Sequence, residues 1–542
     1  MPAPLALRAA LLASVWLGAL ALLAPDTARA TDATWIAPSP NPGEWTQGTN
    51  WSPSSVPDGT ATFTNNGATT SVTISNNASI NTIDFSAAAS AYAFTVQNGA
   101  TFAINGGIIN NPGLEPAFTV NAGSALTAGD GAFVEIGSLA GGGKVTIGPS
   151  DSSTLLSIVG NSATTFSGSF AGAGSLELDN GTSLTLTGAS NGGNIGTIGG
   201  DLTLCNPCAT GALTISGGSL TVGGSTLVDG GSLAIINGGR LVTTNFGVAE
   251  NAMIAGTGST VTVTGQTAIG IFGPGALTIA GGGVLNSQGG AEIDAIFVGT
   301  PTATVTGTGS TWNIGGLGLA VGGGSTPGPG VLVISDGGVV NSTGPTFIGD
   351  AVDGSSRILV TGAGSALNAF NSLLIGDASC GCGLVGTLTI ADGGLVNSPG
   401  STSIAAGSTL NLGTGGLAGA INTPAIANDG QIVANFTDTL TLTPAISGAG
   451  SLSKAGAGTL ILTGTNTYTG GTTINDGILQ LGNGGASGAI TGNVTNNGTF
   501  AINRSDTFTF GGVISGTGAF QQIGSGTTIL TAASTYTGAT AI

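Results

Sequence analysis

One eleven-residue phrase occurs three times in the middle of the chain. Leu277-Thr278-Ile279-Ala280-Gly281-Gly282-Gly283-Val284-Leu285-Asn286-Ser287 returns as the segment from Leu332 to Ser342 and again from Leu388 to Ser398, at offsets of 55 and 56 residues. A companion phrase, Gly256-Thr257-Gly258-Ser259, returns at Gly307-Thr308-Gly309-Ser310 and at Gly362-Ala363-Gly364-Ser365. A repeat of this length made of short strands cannot bury its apolar side alone, so it predicts stacked coils rather than separate domains. The local pattern agrees. Leu176-Glu177-Leu178 passes through Asp179-Asn180-Gly181 into Leu184-Thr185-Leu186, and Val261-Thr262-Val263-Thr264 stops at Gly265. Apolar and polar residues alternate with period two, and each run is closed by residues that tolerate positive φ. The expected fold is all-β, a right-handed parallel β-helix (β-solenoid) of roughly 20 to 25 residues per coil, with coils about 4.8 Å apart. Propellers and sandwiches fit less well, because their strands are longer and richer in aromatics than a chain with 5% aromatic residues allows.

Composition now narrows function. The 101 glycines among 542 residues supply the corners of a solenoid. Histidine is absent, which removes Ser-His-Asp and Cys-His nucleophile systems, His metal sites and His pH switches. Only 7 basic residues stand against 25 acidic ones. Such a surface repels phosphate, so nucleic acid is excluded as a partner.

The first thirty residues read as a signal peptide. Arg8 is followed by an apolar run from Ala9 to Ala24, and Ala28-Arg29-Ala30 offers a small-x-small cleavage site between Ala30 and Thr31. Export through the inner membrane is therefore expected. The predicted layout is a signal peptide over 1–30, a Trp-containing cap over 31–64, a repetitive solenoid over 65–440 and a different pair of repeats over 441–542.

In that last segment, Gly448-Ala449-Gly450-Ser451-Leu452-Ser453-Lys454 leads into Gly456-Ala457-Gly458-Thr459-Leu460-Ile461-Leu462-Thr463-Gly464. Asn466-Thr467-Tyr468-Thr469-Gly470-Gly471-Thr472-Thr473-Ile474 and Gly477-Ile478-Leu479-Gln480-Leu481-Gly482 follow. This stretch resembles the passenger-associated β-strand repeat of bacterial autotransporters, the type V secretion family. The 55-residue units, with Gly307-Thr308-Gly309-Ser310-Thr311-Trp312-Asn313 as the clearest, resemble another repeat of such passengers, and Trp35, Trp45, Asn50-Trp51-Ser52 and Pro57 resemble their opening. The resemblance implies a non-enzymatic adhesive passenger at the cell surface, in the outer membrane or secreted. Its expected partners are a host or neighbouring-cell surface and an outer-membrane β-barrel translocator. It also implies structural roles for Gly458, Thr459, Leu460, Leu462, Gly464, Asn466, Thr467, Tyr468, Gly470, Gly471, Thr472 and Gly477. The stretch from Gly516 to Ile542 tracks the first repeat at an offset of 68 and stops mid-repeat, with no barrel pattern, which predicts a fragment of a longer product.

Candidate chemistry is sparse. Cys205 and Cys208, and Cys380 and Cys382, form two close pairs that predict local disulfides in an oxidising compartment. No cofactor is expected: Lys144 follows Gly143, but Ser138 and Val145 break the phosphate-loop pattern. Two carboxylate pairs, Glu177 with Asp179 and Glu292 with Asp294, each share one strand face. Their spacing supports the rival reading of a secreted β-helical enzyme that cleaves polysaccharide, while isolated surface charges for solubility are the plainer one. Asn286, Asn341 and Asn397 are expected either to stack as internal amide ladders at a corner or to be exposed turn residues.

Overall fold

The computed structural model describes residues 30–39, 42–65, 68–87, 89–110, 114–179, 181–204, 211–270, 273–295, 299–323, 328–349, 356–377 and 383–542. The described residues form an all-β parallel solenoid with almost no helix. It divides into two compact units, Met1–Thr264 and Gly265–Ile542.

In the first unit, one row of parallel strands runs from Gly43–Glu44 and Ser71–Ile74 through Ala212–Ser216 to Asn251–Ala255. Like residues stack on like: Phe94 faces Phe118 and Val96 faces Val120 in adjacent coils. The coil entrance is plugged by aromatics. Trp35 and Trp45 lie edge-on to Trp51 at 4.9 and 4.8 Å, and Trp45 lies edge-on to Phe102 at 4.8 Å. All three tryptophans are fully buried. Here Ala33–Trp35 pairs antiparallel with Trp51–Ser52 and parallel with Thr60–Phe63, so the opening segment closes the end of the stack. A covered end matters because an open terminal coil would leave its edge groups unpaired.

In the second unit, each early coil carries three strands. The coil that starts at Ala276–Ala280 continues through Val284–Ser287 and Gly290–Ile293, and the next through Thr302–Thr306, Thr311–Ile314 and Leu319–Val321. Each strand pairs in parallel with its counterpart one coil on. First strands begin at 276, 302, 331, 357 and 387, so these coils take 26, 29, 26 and 30 residues, longer than the sequence estimate. The 55-residue repeat is therefore two coils.

The two companion phrases turn out to be alternating corners. At one, Asp336 and Gly337 both have positive φ (52° and 86°), as do Asp392 and Gly393 (51° and 81°). Aspartate is among the few non-glycine residues that tolerate this region, which is why the phrase reads Asp-Gly-Gly or Gly-Gly-Gly. At the other, the buried serine of Gly-x-Gly-Ser accepts from the glycine N–H of the preceding corner: Gly282 to Ser310 at 3.0 Å and Gly337 to Ser365 at 3.0 Å. One corner supplies an unsatisfied donor and the next coil supplies its acceptor.

The last coils are shorter, with first-row strands at 431, 451, 472, 494 and 514. The two copies, 68 residues apart, do not lie on the same face. Leu452 of the first copy pairs with Thr472 in one row, whereas its equivalent Phe520 stacks on Phe500, which stacks on Leu479 and Leu460 in a neighbouring row. Alternation is the same on every face, so one repeat fits any of them.

Candidate functional site

The outward face of the second strand row carries a continuous file of amides. Asn313 Nδ2 donates to Asn286 Oδ1 at 2.8 Å, Asn341 to Asn313 at 2.8 Å, Asn368 to Asn341 at 2.7 Å, Asn397 to Asn368 at 2.7 Å and Asn422 to Asn397 at 2.9 Å. Of the two expectations for Asn286, Asn341 and Asn397, stacking holds, through Asn313 and Asn368, but neither an internal place nor a corner does. The residues occupy strands rather than corners, between inward neighbours such as Leu285 and Ser287, and point outward rather than into the core. The partners Asn313, Asn368 and Asn422 lie in the alternate coils, where the surrounding phrase differs.

Beside the end of this file lies a shallow cleft of about 350 Å³, lined by Asn368, Phe370, Asn397, Pro399, Asn422, Thr423 and Pro424. Phe370 is 51% exposed. No charged side chain lines the cleft.

The carboxylate pairs behave differently from each other. Glu177 lies on the outer face of Ser175–Leu178, while Asp179, expected on the same strand, follows its end and is half-buried. Burial, followed by the like charges of Asp179 and Glu135, pushes the Glu177 carboxyl up. The charges acting on it are acidic, and Lys144, Arg240 and Arg357 are exposed elsewhere. Asp294 is buried and accepts from Gly328 N at 2.9 Å, so it ties down a loop. Glu292 is pushed up by burial and then by Asp294. Among the described residues, no group of three or more His, Cys, Asp or Glu side chains is arranged to hold a metal ion.

The motif residues of the closing repeat are built into the coil. Asn466 is buried and touches three coils: its Oδ1 accepts from Ile446 N at 3.0 Å, and its Nδ2 donates to Gly464 O and Ala489 O. The Tyr468 hydroxyl lies 2.7 Å from Thr472 Oγ1, and Tyr536 repeats the contact with Thr540 at 2.6 Å. Burial pushes the Tyr468 phenol up. A Cβ on Gly458 would meet Asp438 O at 2.2 Å, and on Gly464 Pro444 O at 2.4 Å, so close coil contact demands glycine at both. Gly471 and Gly477 have positive φ, while Thr459, Leu460 and Leu462 stack on Ile478, Leu479 and Leu481. Thr467 N donates to Ile446 O, and Gly470 N to Gly450 O.

Sequence reasoning missed two buried cations. Lys454 is fully buried, with Nζ donating to Ala455 O and Gly456 O at 2.8 and 2.7 Å and lying 5.1 Å from the Phe436 ring centre. Burial pushes its ammonium down to about 8, against a smaller upward pull from Asp476. Arg504 caps Gly488 O and Ala486 O and pairs with Asp506 at 2.7 Å. Lys454 follows Leu452 by two and so shares its face of the strand, but that spacing does not by itself tell a buried cation from a solvated one.

At the start, Ala30 is exposed and Thr31 donates its N–H and hydroxyl to Asp58. The rest of the signal segment, and Cys205, Cys208, Cys380 and Cys382, lie outside the described residues. Among the described residues, no helix is long and apolar enough to cross a membrane.

The repeats within this polar-faced parallel solenoid are similar to those of autotransporter passengers. The passenger-associated transport repeat family matches residues 452–481 and 520–542, the two copies identified above. The chain is also similar to the adhesin BmaC autotransporter of Brucella suis biovar 1 (strain 1330), at 37% identity over 166 residues. That stretch covers 30% of this chain and 5% of the relative, so the chain spans a small part of that protein's length.

Proposed function

We propose that this chain is a non-enzymatic passenger segment, displayed at the cell surface or secreted, that mediates adhesion to a host or neighbouring cell. The similarity to an adhesin carries this reading. It is supported by the acidic character of the charges acting on Glu177, those of Asp179 and Glu135, and by the structural use of Asp294, which weaken the polysaccharide-cleaving alternative. Export by the signal peptide over 1–30 and delivery through an outer-membrane β-barrel translocator complete the reading. Cells that display the intact gene product are expected to attach to epithelial monolayers or to aggregate more than a deletion strain does. Equal attachment and equal settling of the two strains would refute it.

A further inference from the structure

The cleft on the amide face has two rails in register. Asn368, Asn397 and Asn422 form one on successive coils, and Phe370, Pro399 and Pro424 form the other, each two residues after its asparagine. Rungs are about 4.8 Å apart. Ring side chains fall on these rungs alone: the same position after Asn286, Asn313 and Asn341 is Gln288, Gly315 and Thr343. An amide has two N–H groups and two carbonyl lone pairs, and the file uses one of each at Asn397. Each interior rung therefore keeps one N–H and one carbonyl lone pair that the file does not use.

We propose that this cleft binds an uncharged glycan, with Phe370 and the two prolines against the C–H face of sugar rings and the free amide groups on their hydroxyls. The inference rests on the adhesive reading and gives it a ligand class. A hydroxyl donates and accepts at one atom, which matches a rail that does both at each rung. An apolar platform beside a few polar groups is the usual composition of a small-ligand site. Charge selects further. With no charged group in the cleft, a sialylated or sulfated glycan, a nucleic acid or a charged peptide finds no partner there. Strand addition by a peptide is disfavoured, because backbone groups along the cleft are already paired between coils, Phe370 N with Ser342 O and Ser398 N with Asn422 O.

The test is binding of the purified full chain to a printed panel of uncharged gluco-, galacto-, manno- and N-acetylglucosamine oligosaccharides. Sialylated and sulfated glycans and a proline-rich peptide are printed beside them. Retention on at least one uncharged oligosaccharide is expected, weakened about tenfold or more by Phe370→Ala and kept by Phe370→Tyr. Leu317→Ala, which removes a more exposed apolar side chain outside the cleft, is expected to leave binding unchanged. Circular dichroism reports whether each variant keeps its strands. No uncharged oligosaccharide bound, equal binding by a folded Phe370→Ala variant, or binding of the proline-rich peptide alone would overturn the proposal. Cells that attach while the purified chain ignores every uncharged oligosaccharide would sink the glycan and leave adhesion standing; cells that fail to attach would sink adhesion.

Discussion

Lys454 is a cation held where a solenoid ordinarily places leucine, and its equivalent in the second copy is Gln522, which donates to Gly524 O and Gly526 O. Both long polar side chains turn back to carbonyls at a corner. Because burial lowers the folded pKa to about 8 from the ordinary 10.5, the unfolded chain binds more protons between those values. Stability therefore rises with pH across that window and is lowest below 8, by on the order of 3 kcal/mol for full retention of the shift. Lys454→Gln is expected to remove this rise while keeping the fold, measured as denaturation midpoints at pH 7.5 and 10. An unchanged slope would mean that the group is solvated in solution. Ser310 offers a second test. Ser310→Ala strips the acceptor from Gly282 N and is expected to cost about 1–3 kcal/mol, with Ser365→Ala matching it at Gly337.

At the level of the element, alternation was legible and position was not. Val331–Ser335 and Arg357–Thr361 read directly as half-buried strands, because inward Leu332, Ile334, Ile358 and Val360 announce their side by period two. The amide file escaped correct placement because one chain carries only the residue types; whether Asn341 lies on a strand or a corner depends on register with coils 27 or 28 residues away. Phe370 was invisible for the same reason, since an aromatic between Ala369 and Asn371 shows no side until stacking places it outward. Lys454 was seen in the motif, but nothing in spacing alone distinguishes a cation folded into the coil from one in solvent. The file itself makes a prediction. Asn341→Ala breaks two amide bonds and Asn286→Ala one, so the interior change is expected to cost about twice as much, roughly 1–3 against 0.5–1.5 kcal/mol. Equal losses in equilibrium unfolding would show that the inter-amide bonds do not contribute additively to stability.

For the whole molecule, the aromatic plug and the alternating corners set what can be changed. Trp51→Ala is expected to cost about 3–5 kcal/mol in the first unit, because Trp35 and Trp45 both pack on that ring. Removing residues 331–386 deletes two coils and joins Gly330 to Thr387, so that the corner types still alternate; removing 331–356 deletes one coil and sets two Gly-x-Gly-Ser corners against each other. The first deletion is expected to retain the melting temperature within a few degrees, and the second to lose more, since stability in such stacks is a sum of neighbour terms. The difference between the two repeat lengths reaches beyond stability. Duplicating the 55-residue unit returns every surface residue to the same side of the coil, so a favourable side chain is copied into a line, as the asparagines are. Duplicating the 68-residue unit carries each copy around to the next side, as Phe520 shows relative to Leu452. Gene duplication in the first region can lengthen a row of like side chains on one side, whereas in the second it turns each copy to another side.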